Sequence, residues 1–303
     1  NSSNQGYKTL TQFQLRYEKE LAKGHRFFAL VAMNEEYWNN RWFSAGRDDR
    51  IHGSLTEIDG ALNTTQRTTG ASDAEGLRSF LGRVNYSILD RYLFEFNFRA
   101  DGSSKFLPGH QYGFFPSGSV GWRFSEENFF QPFKNIISSG KLRLSYGTLG
   151  NNSGVKKYEQ KETFIGTPYA LNGNNLVNGF SADKMINRDF TWEKTSVANI
   201  GFDLGFFNNQ LTTEIDLYDR LTTGMIRTSQ LSTLLSGYSA PRVNMGDLRN
   251  RGIELNIRWQ SSINKLNYGA MFNFSYNRDK LEAWNELRNP SKIFLNMPYY
   301  FAY

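Results

Sequence analysis

Apolar and polar residues alternate along this chain with a period of two, repeatedly, and that period marks β-strands with two unlike faces. The clearest run is 91–100. There Tyr92, Phe94, Phe96 and Phe98 fall on one face, and Arg91, Leu93, Glu95, Asn97 and Arg99 on the other. In 211–220, Leu211, Thr213, Ile215 and Leu217 oppose Thr212, Glu214, Asp216 and Tyr218. In 252–259, Ile253, Leu255, Ile257 and Trp259 oppose Glu254, Asn256 and Arg258. Tyr268, Ala270, Phe272, Phe274 and Tyr276 then oppose Asn267, Gly269, Met271, Asn273 and Ser275. Weaker runs lie at 9–18, 26–37, 80–87, 113–125, 141–149 and 191–205. The runs predict about ten strands, most near the ~9–11 residues a tilted strand needs to cross a bilayer. Strands of globular proteins average nearer ~5–6 residues.

The connections between these runs alternate in length. Segments 19–25, 88–90, 206–210 and 261–265 are short, whereas 38–79, 101–112, 150–190 and 224–245 are longer. An up-and-down meander with tight turns at one end and long loops at the other produces this rhythm. It is the pattern of a transmembrane barrel with short periplasmic turns and long extracellular loops. Segment 126–140 lies on the short side yet is of intermediate length, and a single helical turn is expected around 126–130. Phe206 and Phe207 flank a tight turn, where an interfacial aromatic girdle would lie.

Mean hydropathy is −0.56, which suggests a water-soluble chain. A membrane barrel shows lipid only every second residue, so its average stays low as well. The longest apolar run is 27–33, far below the ~18 residues of a spanning helix. Alternation does not say which face meets water, and a soluble β-sandwich or barrel with its apolar face as core stays open on these patterns. Strand length and loop asymmetry favour the membrane. Net charge is +6 with basic residues scattered among acids, so no basic stripe suggests nucleic acid. With no cysteine there is neither a disulfide framework nor a Cys metal site. Residues 1–5 carry no basic or apolar signal region, and the chain is expected to begin inside a longer protein.

A search for chemistry yields little. His25, His52 and His110 are isolated, no phosphate-cradling glycine motif occurs, and residues 117–121 only mimic a nucleophile elbow. No catalytic residue, metal ligand or cofactor is expected, and the chain is not read as an enzyme. The segment Asp101-Gly102-Ser103-Ser104 reads as a turn. The aromatic segment 37–43, with Tyr37, Trp38, Trp42 and Phe43 among Asn and Arg, is suited to stacking on a sugar and hydrogen-bonding its rim; loop packing or an interfacial belt would use the same residues.

Several blocks together resemble the SusC/RagA family of TonB-dependent outer-membrane transporters. They are RYLFEFNFRADGSSKF at 91–106, GFFPSGSVGWRFSEENFF at 113–130 and KLRLSYGTLGN at 141–151. Trp192-Glu193-Lys194 then leads to IGFDLGFFNNQLTTEIDLYDRLTTGMI at 200–226. NMGDLRNRGIELNIRW follows at 244–259, with Asn244, Gly246, Asn250 and Gly252 in the family's spacing. The resemblance covers about 80–280 in the family's order; before 80 only the pattern fits.

The resemblance implies an all-β, antiparallel up-and-down transmembrane barrel of 22 strands in the outer membrane of a Gram-negative, Bacteroidetes-type bacterium. Residues 1–303 would be one part of that barrel domain, holding about ten of the strands. The N-terminal plug with its TonB contact would precede it. The terminal strands would follow, since 289–303 ends in loop-like sequence. It further implies import of oligosaccharides or peptides with TonB-derived energy, beside a SusD-like surface lipoprotein, with lipid around the wall. A passive porin is the alternative within the membrane, and a soluble carbohydrate-binding sandwich is the more distant one. With the apolar face against lipid, Glu95, Asn97, Arg99, Glu214, Asp216, Glu254 and Arg258 are expected to face the lumen. Cargo contacts are expected from the loops around 38–43, 150–190 and 224–245.

Overall fold

The computed structural model describes residues 2–284 apart from 50, 55, 172–174 and 230–236. Residues 289–303, expected to be loop-like, lie outside the described residues. Ten strands form one antiparallel sheet, each hydrogen-bonded to the next along the chain. They are β1 (Ser2–Ala22), β2 (His25–Gly46), β3 (Arg67–Ile88), β4 (Tyr92–Ser103), β5 (Tyr112–Trp122), β6 (Ile137–Asn151), β9 (Glu193–Phe206), β10 (Leu211–Thr223), β13 (Asp247–Ile263) and β14 (Leu266–Ala283). Two small hairpins interrupt the long connections. Strands β7 (Phe164–Leu171) and β8 (Asn175–Ala182) pair within the β6–β9 loop, and β11 (Ile226–Thr228) with β12 (Arg242–Asn244) within the β10–β13 loop. β1 and β14 are the two margins of the sheet, which is open rather than closed.

The tight turns all lie at one end, and their sequence explains them. Leu89 and Asp90 both take positive φ, 51° and 55°, as the type I′ hairpin that suits strand twist requires. The Leu89 N–H donates to the carbonyl of Gly24, in the neighbouring hairpin turn, at 2.6 Å. The Arg26 guanidinium pairs with Asp90 across the same end. Phe207, Asn208 and Asn209 make the β9–β10 turn, also with positive φ. The β5–β6 connection holds two 3₁₀ segments, Phe124–Glu126 and Asn128–Phe133, rather than the single helical turn expected.

Several strands exceed their sequence-based bounds. β2 continues from the expected end at Tyr37 to Gly46, and β3 begins at Arg67 rather than at Phe80. Their pairing is unbroken to Gly46↔Arg67. The connection expected over 38–79 is therefore only 47–66. In this extension neither face is consistently apolar, since Asn39, Asn40, Ser72 and Asp73 are interspersed with Trp38, Trp42 and Phe43, so no alternation betrays the strand. The Asp101–Ser104 turn is likewise displaced: Asp101, Gly102 and Ser103 still belong to β4, and the chain turns at Ser104 and Lys105. Gly102 serves a close approach instead. A Cβ there would meet the ring of Tyr112, its cross-strand partner, at 2.6 Å.

Pro116 marks where one pairing stops. β5 pairs with β4 from Tyr112 to Trp122, but with β6 only from Ser117 onward. Proline offers no N–H to a ladder. The gap beyond it admits Phe115, whose ring lies close against Gly150. Phe115 joins Phe106, Val155, Phe190, Trp192 and Ile226 in a buried cluster at the long-loop end, with Leu77 packed against it. Trp192 stacks on Phe106 at 5.1 Å between ring centres and meets Phe115 edge-on at 5.7 Å. Its indole N–H donates to the Gln111 carbonyl at 2.9 Å. The cluster thus joins residues of three connections to β5.

Candidate functional site

Register divides the sheet into two faces, because residues directly opposite each other share a side. Phe96 lies opposite Val84 and Gly118, Leu144 opposite Val120 and Ile200, and Leu217 opposite Ile200 and Ile253. These residues define an apolar face that no second sheet covers among the described residues. Phe96 is 51 % exposed and Phe272 56 %. The buried apolar residues instead belong to loops and strand ends, such as Phe106, Phe130, Trp192 and Met245. A soluble sandwich needs this face as its core. Its exposure is the arrangement of a wall bathed in lipid.

On β14 the apolar-face row runs Leu266, Tyr268, Ala270, Phe272, Phe274, Tyr276 and gives way to Arg278 and Lys280. At about 3.4 Å per residue and a tilt of about 45°, the row rises roughly 24 Å, matching the ~25 Å apolar band of outer-membrane barrels. Tyrosines stand near both ends of it.

Glu95, Asn97, Arg99, Glu214, Asp216, Glu254 and Arg258 all share the opposite, polar face. The structure brings them together in two groups, one on β4 and one on β10 and β13. On β4, Arg83 Nε donates to Asn97 Oδ1 and Asn97 Nδ2 to Glu95 Oε1, both at 2.7 Å. Arg99 Nε binds both oxygens of Asp101, at 2.6 and 2.7 Å, and its Nη2 donates to Ser79 Oγ at 3.2 Å. On β10, Asp216 stands directly opposite Glu254, a repulsive pairing on its own. It is relieved by Arg143 of β6, which sequence reasoning missed.

Arg143 donates to both oxygens of Asp216 at 3.1 Å and, through Nε, to both oxygens of Asp203 of β9 at 2.9 and 3.0 Å. Lys141 adds a longer contact to Asp203 at 3.7 Å. The alternation Lys141-Leu142-Arg143-Leu144 placed Arg143 on the polar face, but which carboxylates it would meet depends on strand order. A groove of about 920 Å³ crosses this face, lined in part by Glu95, Asn85, Ser119 and Arg143.

The aromatic segment 37–43 is not a loop. All four aromatics sit on β2, where alternation divides them: Trp38 and Trp42 on the polar face, Tyr37 and Phe43 on the other. Lys8 of β1 lies over the Trp38 ring at 4.7 Å and pairs with Glu36 at 3.0 Å. The N–H groups of β3 at its unpaired outer edge are met by side chains, Ala74 by the Tyr158 hydroxyl at 2.7 Å and Gly76 by Ser104 Oγ at 2.9 Å. In the same region Lys157 pairs with Asp73, which holds the ammonium pKa above the usual lysine range.

Asn244 pins the long loops. Its Oδ1 accepts from the Thr191 N–H at 2.9 Å, and its Nδ2 donates to the carbonyls of Thr191 and Gly224 at 2.8 and 3.0 Å. Gly252 is needed for a different reason: a Cβ would meet Tyr218 Oη at 2.5 Å and the Tyr276 carbonyl at 2.8 Å. Among the described residues no group of three or more His, Asp or Glu side chains is placed to hold a metal. His25 Nδ1 is engaged with the Tyr86 hydroxyl at 2.8 Å, and His52 with Ser54 Oγ at 2.7 Å.

The family profile described as TonB dependent receptor-like, beta-barrel matches residues 1–299. This chain belongs to the TonB-dependent receptor β-barrel family. Among curated relatives, the TonB-dependent receptor P3 of Formosa agariphila is 32 % identical over 276 residues, covering 90 % of this chain and 27 % of the relative. TonB-dependent receptor SusC of Bacteroides thetaiotaomicron is 30 % identical over 274 residues, covering 88 % of this chain and 26 % of SusC. The chain therefore spans about a quarter of the length of the curated relatives it matches. In fold it superposes on the RagAB peptide importer in its closed-closed state with a TM-score of 0.87 and 24 % identity, over 98 % of this chain and 33 % of that one. The SusC/RagA resemblance and the antiparallel barrel fold are thus shown, and the ten-stranded meander is a sector of the receptor wall.

Proposed function

We propose that this chain supplies wall and surface loops to an outer-membrane importer of the SusC/RagA type, driven by TonB. The observation that carries the reading is the family match along 1–299, joined to an apolar face exposed over a bilayer's height. In this reading the tight-turn end is periplasmic and the long loops are extracellular. The polar face, with its Arg143–Asp203–Asp216 hub, faces the lumen and a plug domain elsewhere in the receptor. TonB acts through that plug, and a SusD-like lipoprotein caps the extracellular mouth. The seven polar residues of β4, β10 and β13 line the lumen wall, and the chain's setting is the outer membrane of a Bacteroidetes-type bacterium.

The proposed cargo is an oligosaccharide or a peptide. Trp38 and Trp42, on the polar face at the outer rim, are the proposed cargo contacts on β2, and the loops 150–190 and 224–245 contribute the rest. Tyr37 and Phe43 point to the other face and leave that set.

The test uses the full-length receptor in its host, with uptake of labelled oligosaccharides and of labelled peptides compared in the presence and absence of TonB. Uptake that collapses without TonB, for at least one cargo class, is the expected result. Uptake independent of TonB would replace the importer with a passive porin. In the same assay Trp38→Ala and Trp42→Ala are expected to weaken uptake of the cognate cargo, while Tyr37→Ala leaves it intact. Equal uptake by all three variants would remove the tryptophans from the cargo site.

A further inference from the structure

Beside β3 the rim of the wall is notched. β4 stops at Ser103, opposite Leu77, whereas β3 continues outward, paired with β2, as far as Arg67. One edge of β3 therefore has no strand beside it over 67–76, although both sheet neighbours of β3 lie within this chain. Successive residues of a strand direct their main-chain N–H and C=O groups to opposite edges. Those of Gly76 and Ala74 point into the notch and are engaged there. The Gly76 N–H donates to Ser104 Oγ, its carbonyl accepts from the Ser104 N–H at 3.0 Å, and the Ala74 N–H donates to the Tyr158 hydroxyl. The pairing with β2 runs without a bulge, so Ser72, Gly70 and Thr68 point the same way. Their N–H and C=O groups have no partner on that side among the described residues.

An open strand edge is a template for another chain, and proteins blunt such edges with lysine, proline or a bulge. The exposed strand β7 carries Pro168, and the inner part of the β3 edge is capped by side chains. Over 68–72 there is no such device. The segment Thr68-Thr69-Gly70-Ala71-Ser72 holds no charge and no proline, and all five residues are exposed. The charges that bracket it are neutralised, Arg67 by Asp48 and Asp73 by Lys157.

Three donors and three acceptors thus recur along this edge every second residue, at a spacing of about 6.8 Å. That alternation complements a peptide main chain, whereas an oligosaccharide presents its hydroxyls in no such order. Side chains add a preference. On the polar face Ala71 lies opposite Trp42, and neighbouring strands stand ~4.8 Å apart. A long apolar side chain on an added strand can therefore reach over the Ala71 methyl to the Trp42 ring. At the inner end of the open edge, a cavity of about 290 Å³ is lined in part by Ala74, Tyr158 and Gln160. Gln160 Oε1 is buried without a partner, placed to accept a hydrogen bond from the end of that strand.

We propose that the outer edge of β3 is a strand-addition site for extended peptide cargo, which binds main chain to main chain beside Thr68, Gly70 and Ser72. The inference rests on the proposed import function in taking the peptide as cargo, and goes beyond it in choosing peptide over oligosaccharide. Contacts of this kind accept many sequences, exclude proline where an N–H must face β3, and favour an apolar residue opposite Ala71.

The test measures binding of a fluorescent octapeptide to the purified full-length receptor. The peptide alternates threonine and valine and carries a lysine at each end. In a Thr68→Pro, Ser72→Pro variant two N–H donors are lost, and binding is expected to weaken roughly 30-fold, about fivefold for each. Thr68→Ala with Ser72→Ala keeps both donors and should bind as the parent does. Two measurements guard against misassembly of the proline variant. The same peptide N-methylated throughout its centre should fail to bind the unmodified receptor. The chain has no cysteine, so a peptide with one central cysteine should cross-link, under mild oxidation, to Ser72→Cys and not to Lys265→Cys in a tight turn. Parent-like binding by the proline variant would overturn the inference, as would equal loss in the alanine variant. So would equal binding of the N-methylated peptide, equal cross-linking at both positions, no binding to the parent, or displacement of the peptide by maltohexaose.

Uptake separates this site from the import reading. TonB-dependent uptake of oligosaccharide, with no peptide bound at the edge, sinks this inference and leaves the importer standing. Peptide bound at the edge, with uptake independent of TonB, sinks the importer and leaves the site.

Discussion

Phe96 and Asn97 are neighbours on β4, and exchanging each for arginine measures the difference between the two faces. The outward row of β4 runs from Tyr92 to Gly102, where Tyr112 of β5 lies opposite. At about 3.4 Å per residue and a tilt of about 45°, Phe96 stands roughly 10 Å above Tyr92, close to the middle of a ~25 Å band. An arginine near the bilayer midplane costs ~2–4 kcal/mol, roughly 30- to 900-fold in the folding equilibrium. Asn97 faces the other way. Its replacement loses the acceptor for Arg83 Nε and brings a second guanidinium beside it, but leaves Glu95 Oε1 within reach. In a hydrated lumen that exchange costs about 1 kcal/mol or less. The assay is reversible denaturant unfolding of the full-length receptor in phospholipid vesicles, with folded fraction read from heat-modifiable migration. Phe96→Arg should shift the transition strongly and Asn97→Arg slightly. Equal shifts for the two variants would refute the assignment of the faces.

Three further perturbations address the loops, the polar face and the turn end. Trp192→Ala removes the ring that joins Phe106 to Phe115 and should destabilise the loop cluster by about 3–5 kcal/mol; protease cleavage within 152–192 should accelerate while the unfolding of the strands stays put. Arg143→Gln leaves Asp203 and Asp216 without their shared cation. With these side chains partly hydrated, the loss should be about 1–3 kcal/mol in denaturant unfolding, and a second change, Asp216→Asn, should recover part of it. Glu127 accepts from the Tyr92 hydroxyl at 2.6 Å and from Trp122 Nε1 at 3.3 Å, and these bonds hold its carboxyl below the ordinary glutamate value. A lowered folded-state value means its stabilisation is complete above the unfolded pKa and fades as pH falls through the folded one. Glu127→Gln should therefore weaken the β5–β6 turn at neutral pH, with the difference from the parent vanishing in acid when followed by hydrogen exchange.

The strands were legible where lipid is, and their extensions were not. On β4, β10, β13 and β14 the bilayer imposes apolarity on every second residue, so Phe94, Leu217, Leu255 and Phe274 announce both strand and facing. Along 38–46 and 67–79 polar, small and aromatic residues fall on both faces, and the same backbone ladder runs on with no alternation to reveal it. Length was therefore underestimated at the outer end, and Trp38 and Trp42 were read as loop residues. Gly102 misled in another way. Asp-Gly-Ser-Ser is turn chemistry, yet here the missing Cβ makes room for the Tyr112 ring. The seven polar residues were placed on their shared face by periodicity alone. What periodicity could not supply was Arg143 as the hub, because Asp203 and Asp216 reach it from strands brought side by side only by the fold. The loop cluster was equally hidden, since Phe106, Phe190 and Ile226 meet across distant sequence.

Moving Trp38 and Trp42 from a loop to a strand changes what they can do. Four residues apart on one face of β2, they stand about 13 Å from each other and are fixed there by pairing on both sides. Lys8 and Glu36 further restrain the first of them. In the proposed cargo role, side chains on a rigid ladder would bind without the entropy cost of ordering a loop and would favour cargo of matching spacing over cargo of matching composition. The proposed loop contacts at 150–190 and 224–245 stand beside these tryptophans and are held to the rest of the chain through Asn244 and Trp192. Cargo range should therefore respond to exchanges of these loops, while exchanges at Trp38 lower uptake across that range.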